Sequence, residues 1–117
     1  MTLKQFSHRL NVMNPNLIRN DKLRKPGFKI GDWVITDRLA RGPNPEIGTV
    51  VALYYLPDRE FPTRSDLRQF YVGVEYVDGR ISVYHSGDIK QFGDVLAAAQ
   101  LRLNNLRRAF GRYQIYD

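Results

Sequence analysis

The chain has 117 residues, enough for one domain with appendages and too few for two independent cores. Its 43% hydrophobic and 26% charged residues suit a folded domain rather than a disordered chain, and the absence of cysteine excludes disulfide scaffolds, thiolate metal sites and cysteine nucleophiles. The net charge of +6 is carried by the first 29 residues, where seven basic side chains face one acid, Asp21; residues 30–117 carry eleven of each sign. A neutral body with a basic leader suits a negatively charged partner.

The leader opens with Thr2 and, three positions on, Gln5, the spacing of a capping box; Leu3, Phe6, Leu10 and Met13 follow at helical intervals. Asn14-Pro15 ends that helix, because the residue before proline is pushed out of helical geometry. The spacing therefore predicts a short amphipathic helix and then a loosely structured stretch to Pro26-Gly27. Residues 1–27 form a basic N-terminal arm on this reading.

From about residue 28 to residue 92 the chain is β-rich. Trp33-Val34-Ile35-Thr36 is strand-like, Gly42-Pro43-Asn44-Pro45 is a turn cluster, and Thr49 to Leu56 is a β-branched and aromatic run. A polar loop spans residues 57–68. Gln69 to Val77 and Arg80 to His85 flank Asp78-Gly79, the signal of a two-residue hairpin turn with positive φ at both positions. That turn pairs Val77 with Arg80, Val74 with Val83 and Gly73 with Tyr84. Phe70, Val72, Val74, Tyr76, Ile81 and Val83 would then share a core face, and Tyr71, Glu75, Ser82 and Tyr84 an outer one. Glu75 would lie diagonal to Arg80, and Tyr84 would cover Gly73. Ser86-Gly87-Asp88 reads as a tight turn before a short last strand to Phe92. Four or five such short strands are expected to curl into a small barrel.

Residues 93–117 are expected to hold an amphipathic helix and a tail. Asp94 is a suitable N-cap, and Leu96, Ala99, Leu103, Leu106 and Phe110 recur as one apolar seam, with Gly111 as a stop. Arg102, Arg107, Arg108 and Arg112 lie off the seam, toward the helix end that favours cations.

Three strings carry a resemblance: Phe28-Lys29-Ile30-Gly31-Asp32-Trp33-Val34, Ile47-Gly48-Thr49-Val50-Val51 and Phe70-Tyr71-Val72-Gly73-Val74-Glu75-Tyr76. Over residues 28–92 the chain resembles SH3-like barrels, among them KOW and Tudor-type modules of transcription and translation proteins. It also resembles small barrel subunits of photosynthetic electron-transfer complexes. The resemblance implies a mainly β fold, an SH3-like barrel of four or five antiparallel strands with flanking helices. It implies little about function, since such barrels serve many roles. The loop between the second and third strands is much longer than in a minimal KOW unit.

The residues do not suggest an enzyme. His8 and His85 are far apart in the chain, with His85 expected at the inner-face end of a strand, and no nucleophile elbow or metal-ligand spacing occurs. Gly42 to Gly48 echoes a phosphate loop but lacks the following Lys-Ser/Thr. Neither cofactor nor metal is expected.

Three binding surfaces remain. Lys4, Arg9, Arg19, Lys22, Arg24, Lys25 and Lys29 could lie along DNA or RNA phosphates or against an acidic protein, or serve solubility alone. Tyr54, Tyr71 and Tyr84 could form an exposed aromatic platform for bases or for a protein, or be covered by the terminal helices. In the long loop, Arg59, Phe61, Arg64, Leu67 and Arg68 suit protein recognition, with a structural flap as the alternative.

The expectation is a non-catalytic accessory or regulatory module of a larger protein or nucleoprotein assembly, for example in transcription or translation. The competing expectation is a purely protein-binding subunit, a phage-type adaptor, inhibitor or virion component. A homo-oligomer joined through the Leu96–Phe110 seam is a third. No apolar run is long enough to cross a bilayer and no signal-peptide block opens the chain, so no membrane association and a cytoplasmic or intra-virion setting are expected.

Overall fold

Thr2 and Gln5 form the expected capping box: the Gln5 N–H donates to Thr2 Oγ1 (3.1 Å) and the Thr2 N–H to Gln5 Oε1 (2.9 Å). In the computed structural model, which describes residues 2–111, this cap opens α1 (Leu3–Met13), and Asn14 closes it. There follow β1 (Ile18–Arg19), β2 (Trp33–Thr36), α2 (Asp37–Arg41), β3 (Gly48–Leu56), β4 (Gln69–Tyr76), β5 (Ile81–His85), β6 (Ile89–Gln91) and α3 (Val95–Gly111). Arg112, read from the sequence as part of the last helix, lies outside the described residues. The protein is mainly antiparallel sheet with a helix near each end.

The sheet runs in the order β5-β4-β3-β2-β6, and β1 pairs with β3 off that path. It does not close into the expected barrel. β5 and β6 stand at opposite ends of the path, and no ladder joins them among the described residues. β3 is the spine because it is long enough to hold three partners. Its first residues pair with β2, its last with β1, and its whole opposite edge with β4. A bulge between Val50 and Ala52 bends it.

The bulge also sets the parity of β3, so that the sheet has two apolar sides. Val50 and Leu53 join Phe28, Val34, Val72, Val74, Tyr76 and Ile89 in the main core, over which Leu23, Leu39 and Tyr84 pack. Ala52 and Tyr54 join Leu17 on the other side, where Leu3 and Leu10 of α1 close over Leu56, Tyr71 and Val83. Each fully buried Val or Leu here contributes roughly 1.5–3 kcal/mol. Packing is close where β2, β3 and β4 meet: a Cβ on Gly48 would lie 2.1 Å from Val74 Cγ1.

The hairpin register differs by one residue from the expectation. Gly73 faces Val83, Val74 faces Ser82, and Tyr76 bonds to Arg80 through backbone N–H and C=O (2.9 Å). The connection is therefore Val77-Asp78-Gly79, three residues long. Only Gly79 takes positive φ (89°), so a two-residue mirror-image turn cannot form and a turn with a glycine bulge replaces it. The Asp78 carboxylate holds the loop by accepting from the Arg80 backbone N–H (3.1 Å) and Nε (2.7 Å).

One residue of slip exchanges the faces of β5. Tyr84 turns to the main core, where its hydroxyl meets that of Tyr76 (2.9 Å), while Val83 joins Tyr71 under α1. Burial pushes the Tyr76 hydroxyl far above the ordinary tyrosine range, and the Tyr84 contact adds to this. Gly73 is crowded by Ala52 and Tyr54 rather than covered by Tyr84. Arg80 pairs with Asp78 and Glu46, not with Glu75. His85 is exposed and stands edge-on to Tyr71, at 5.4 Å between ring centres, rather than on the inner face.

The last helix starts where expected, with the Asp94 carboxylate accepting from the Ala97 N–H (3.1 Å). Its orientation is the correction. Ala98 and Asn105 are buried, whereas Leu96 (84% exposed), Leu103 (42%), Phe110 (67%) and Ala99 face outward and Leu106 is half-buried. The reason is polar. Ile47, just before β3, has a buried backbone N–H that needs an acceptor, and Asn105 Oδ1 supplies it (2.9 Å). Asn105 Nδ2 donates to the Pro45 carbonyl (2.9 Å), Arg108 Nη2 donates to the same oxygen (3.3 Å), and Arg102 Nη1 donates to Thr49 Oγ1 (3.1 Å).

Candidate functional site

Residues 14–31 carry most of the leader's charge and are bound to the sheet throughout. Leu17 is buried beside Ala52 and Tyr54. β1 follows along β3, with Ile18 opposite Tyr55 and Arg19 opposite Tyr54, and the Asn20 N–H donates to the Leu53 carbonyl (2.8 Å). Asp21, the one acid of the leader, then does what a backbone carbonyl would do in a regular strand. Its Oδ1 accepts from the Leu53 N–H (3.1 Å) just past the bulge.

Arg19 grips the same carboxylate through Nε (3.1 Å) and Nη2 (2.9 Å), and reaches Ser7 Oγ on α1 (3.3 Å). Burial alone would raise the Asp21 pKa, but the guanidinium and the Leu53 N–H outweigh it and hold the carboxyl below its ordinary range. The Arg19 pKa is raised in return, first by its hydrogen bond to Asp21. Arg19 is thus committed to structure.

Beyond Asp21 the chain makes a loop with two apolar stakes. Leu23 packs on the main core and Phe28 is buried in it. Polar ties complete the frame. The Lys22 N–H donates to Asn20 Oδ1 (3.1 Å), Gln91 Nε2 donates to the Gly27 carbonyl (2.9 Å), and Asp32 Oδ2 accepts from the Lys29 N–H (2.9 Å). The Lys25-Pro26 peptide bond is cis.

Held this way, the loop exposes Lys22, Arg24, Lys25 and Lys29 together. Three of them, Lys22, Arg24 and Lys29, line a groove of about 480 Å³ with Leu23, Phe28, Ile30, Asp21 and Gly27. Its charge comes from three cations, while its one carboxylate is already bonded to Arg19. Such a surface attracts phosphates or carboxylates. Lys4 and Arg9 do not share this groove: with His8 they line a separate, open hollow on α1.

The long loop is braced by its own side chains. Asp66 is held below the ordinary carboxyl range by its bond to Arg64 (2.5 Å) and, more weakly, by the charge of Lys25. The Asp58 carboxylate caps the turn that follows, accepting from the N–H groups of Glu60 (2.9 Å) and Phe61 (2.8 Å). Arg68 lies over the Tyr55 ring at 4.4 Å, and Arg64 near Phe61 at 6.0 Å. Phe61 and Leu67 are exposed, and Arg59 lines a hollow with Ile18, Pro15 and Pro62.

The three tyrosines do not form an exposed platform. Tyr54 is 3% exposed and Tyr71 half-buried beneath α1, while Tyr84 points to the other side of the sheet. Covering by a terminal helix, one of the readings open at the sequence level, is what the packing of Tyr54 and Tyr71 shows.

Sequence reasoning missed Asp21, the residue that docks the leader. The available signal was its position as a lone acid two residues after Arg19, the spacing that puts both on one side of an extended strand. Among the described residues, no group of three or more His, Cys, Asp or Glu is placed to hold a metal ion, and no helix is long and apolar enough to cross a membrane. No protein-family model, curated protein or solved structure matches the chain.

Proposed function

We propose that the chain is a non-catalytic binding module, an SH3-like sheet with flanking helices, that rests its basic loop on nucleic-acid phosphates as an accessory subunit of a nucleoprotein machine. The observation that carries this reading is the loop itself: Lys22, Arg24, Lys25 and Lys29 are exposed together on a segment fixed by Asp21, Leu23 and Phe28. A fixed cationic loop loses little conformational entropy when it meets an extended anion. The strand order β5-β4-β3-β2-β6, with a single helical turn at Ser86–Asp88 before the last strand, supports the SH3-like part.

A second reading takes an acidic protein surface as the target, because carboxylates reward exposed Lys and Arg as phosphates do. Fluorescence anisotropy with random duplex DNA and single-stranded RNA, at several salt concentrations, separates the two. Four neutralised phosphates predict log affinity falling against log salt with a slope of about −3.6 for duplex DNA and about −2.8 for single strands. Combined substitution Lys22→Glu, Arg24→Glu, Lys25→Glu and Lys29→Glu abolishes that binding with an unchanged circular dichroism spectrum. Absence of binding at low salt removes the nucleic-acid reading and leaves the acidic surface.

A further inference from the structure

α3 is held from one side only. Ala98, Arg102, Asn105 and Arg108 face the body of the protein, and Leu96, Ala99, Leu103 and Phe110 form a stripe on the opposite side, exposed to solvent. Its spacings of three, four and seven residues are those of a helix–helix seam, with half-buried Leu106 at its edge.

We propose that this stripe is the docking surface for an acidic amphipathic helix of a partner protein. Spacing gives the shape of the occupant: such a seam is complementary to the apolar face of another helix. Charge gives its sign. The described length of α3 contains no carboxylate, and Arg107 stands exposed beside the apolar stripe, while Arg102 and Arg108 are turned to the body. A second copy of the chain is a poorer occupant. α3 spans little more than two heptads, where self-sustaining coiled coils need about three to four. The clasp of Asn105 on Pro45 and Ile47 fixes the helix before any partner arrives, which lowers the cost of docking. The proposal does not depend on what the basic loop binds.

The test uses the full chain and two synthetic amphipathic helical peptides with leucine seams, one flanked by glutamate and one by lysine. Fluorescence anisotropy is expected to show binding of the glutamate peptide and binding of the lysine peptide at least about tenfold weaker. Joint Leu103→Ser and Phe110→Ser substitution weakens the glutamate peptide by about tenfold or more, as loss of central apolar anchors does. Arg107→Glu reduces the preference for the glutamate peptide, a readout that a purely structural role would not move. All three side chains are exposed, so the melting temperature of these variants stays near that of the parent. Equal binding of the two peptides, or binding of neither, overturns the proposal. So does sedimentation of the chain alone as a dimer that Phe110→Ser dissolves, which assigns the stripe to a second copy.

Discussion

The leader and the last helix flank the same sheet and are attached to it in opposite ways. The leader enters the sheet: β1 adds to β3, Leu17 and Phe28 are buried, and Asp21 completes the β3 edge. α3 rests on the outside, joined mainly through Ala98 and the polar contacts of Arg102, Asn105 and Arg108, and it leaves its apolar seam in water. Both segments read as appendages in the sequence. The difference teaches that backbone demand, as much as hydrophobic pattern, decides what an amphipathic segment does. β3 has an edge to satisfy beyond β2, and Ile47 has an N–H to satisfy before it; the leader answers the first and Asn105 the second.

The sharpest break of this comparison is truncation. Removal of residues 1–21 is expected to abolish cooperative unfolding, because it strips one side of the sheet and the β3 edge together. Removal of residues 94–117 is expected to leave a cooperative melt of a β-rich spectrum at lower temperature. Thermal circular dichroism reads both, and the opposite ranking would invert the account.

At the level of single residues, Leu53→Ala, in the main core, is expected to cost about 3 kcal/mol in urea unfolding. Asn105→Ala is expected to cost about 2 kcal/mol by orphaning the buried Ile47 N–H, while the Pro45 carbonyl keeps Arg108. A negligible cost for Asn105→Ala would mean that α3 is held by something other than its polar clasp.

The smallest effect concerns the acid that docks the leader. The folded pKa of Asp21 lies below its ordinary value of 3.8. The Arg19 pair therefore stabilises the fold above that pH, and its contribution fades as pH falls through the lowered folded value. Both side chains are more than a third exposed, so solvent screens the pair and the expected gain is about 0.5 kcal/mol. Asp21→Asn, which keeps an acceptor for Leu53, is predicted to lose that increment at neutral pH and to match the parent at strongly acid pH. A difference that persists undiminished in acid would assign the effect to geometry instead of charge.

Much of the local chemistry was legible. The Thr2–Gln5 box, the stop at Asn14-Pro15, the Asp94 cap and the spans of β2 to β6 follow from residues a few positions apart. Most of what escaped depends on distant partners. β1 is a two-residue strand and exists because β3 outruns β2; nothing near Ile18 announces it. α2 escaped although its start is local, the Thr36 hydroxyl accepting from the Leu39 N–H (3.1 Å) directly after a strand. The seam of α3 was visible as a pattern, but its direction was set by Asn105, a residue sixty positions from the carbonyl it serves. For the candidate site, charge sufficed to find Lys22, Arg24, Lys25 and Lys29. Removing Arg19 from that set required knowing where Asp21 points.

The hairpin tip has a consequence for how this chain tolerates change. Between Tyr76 and Arg80 the count of residues is odd, and that oddness assigns every side chain of the next strand to its side of the sheet. Substitutions at Val77 or Asp78 leave the count untouched. A single insertion or deletion there would send Tyr84 toward α1 and Val83 toward Tyr76, so variation in length at this corner is far more disruptive than variation in identity.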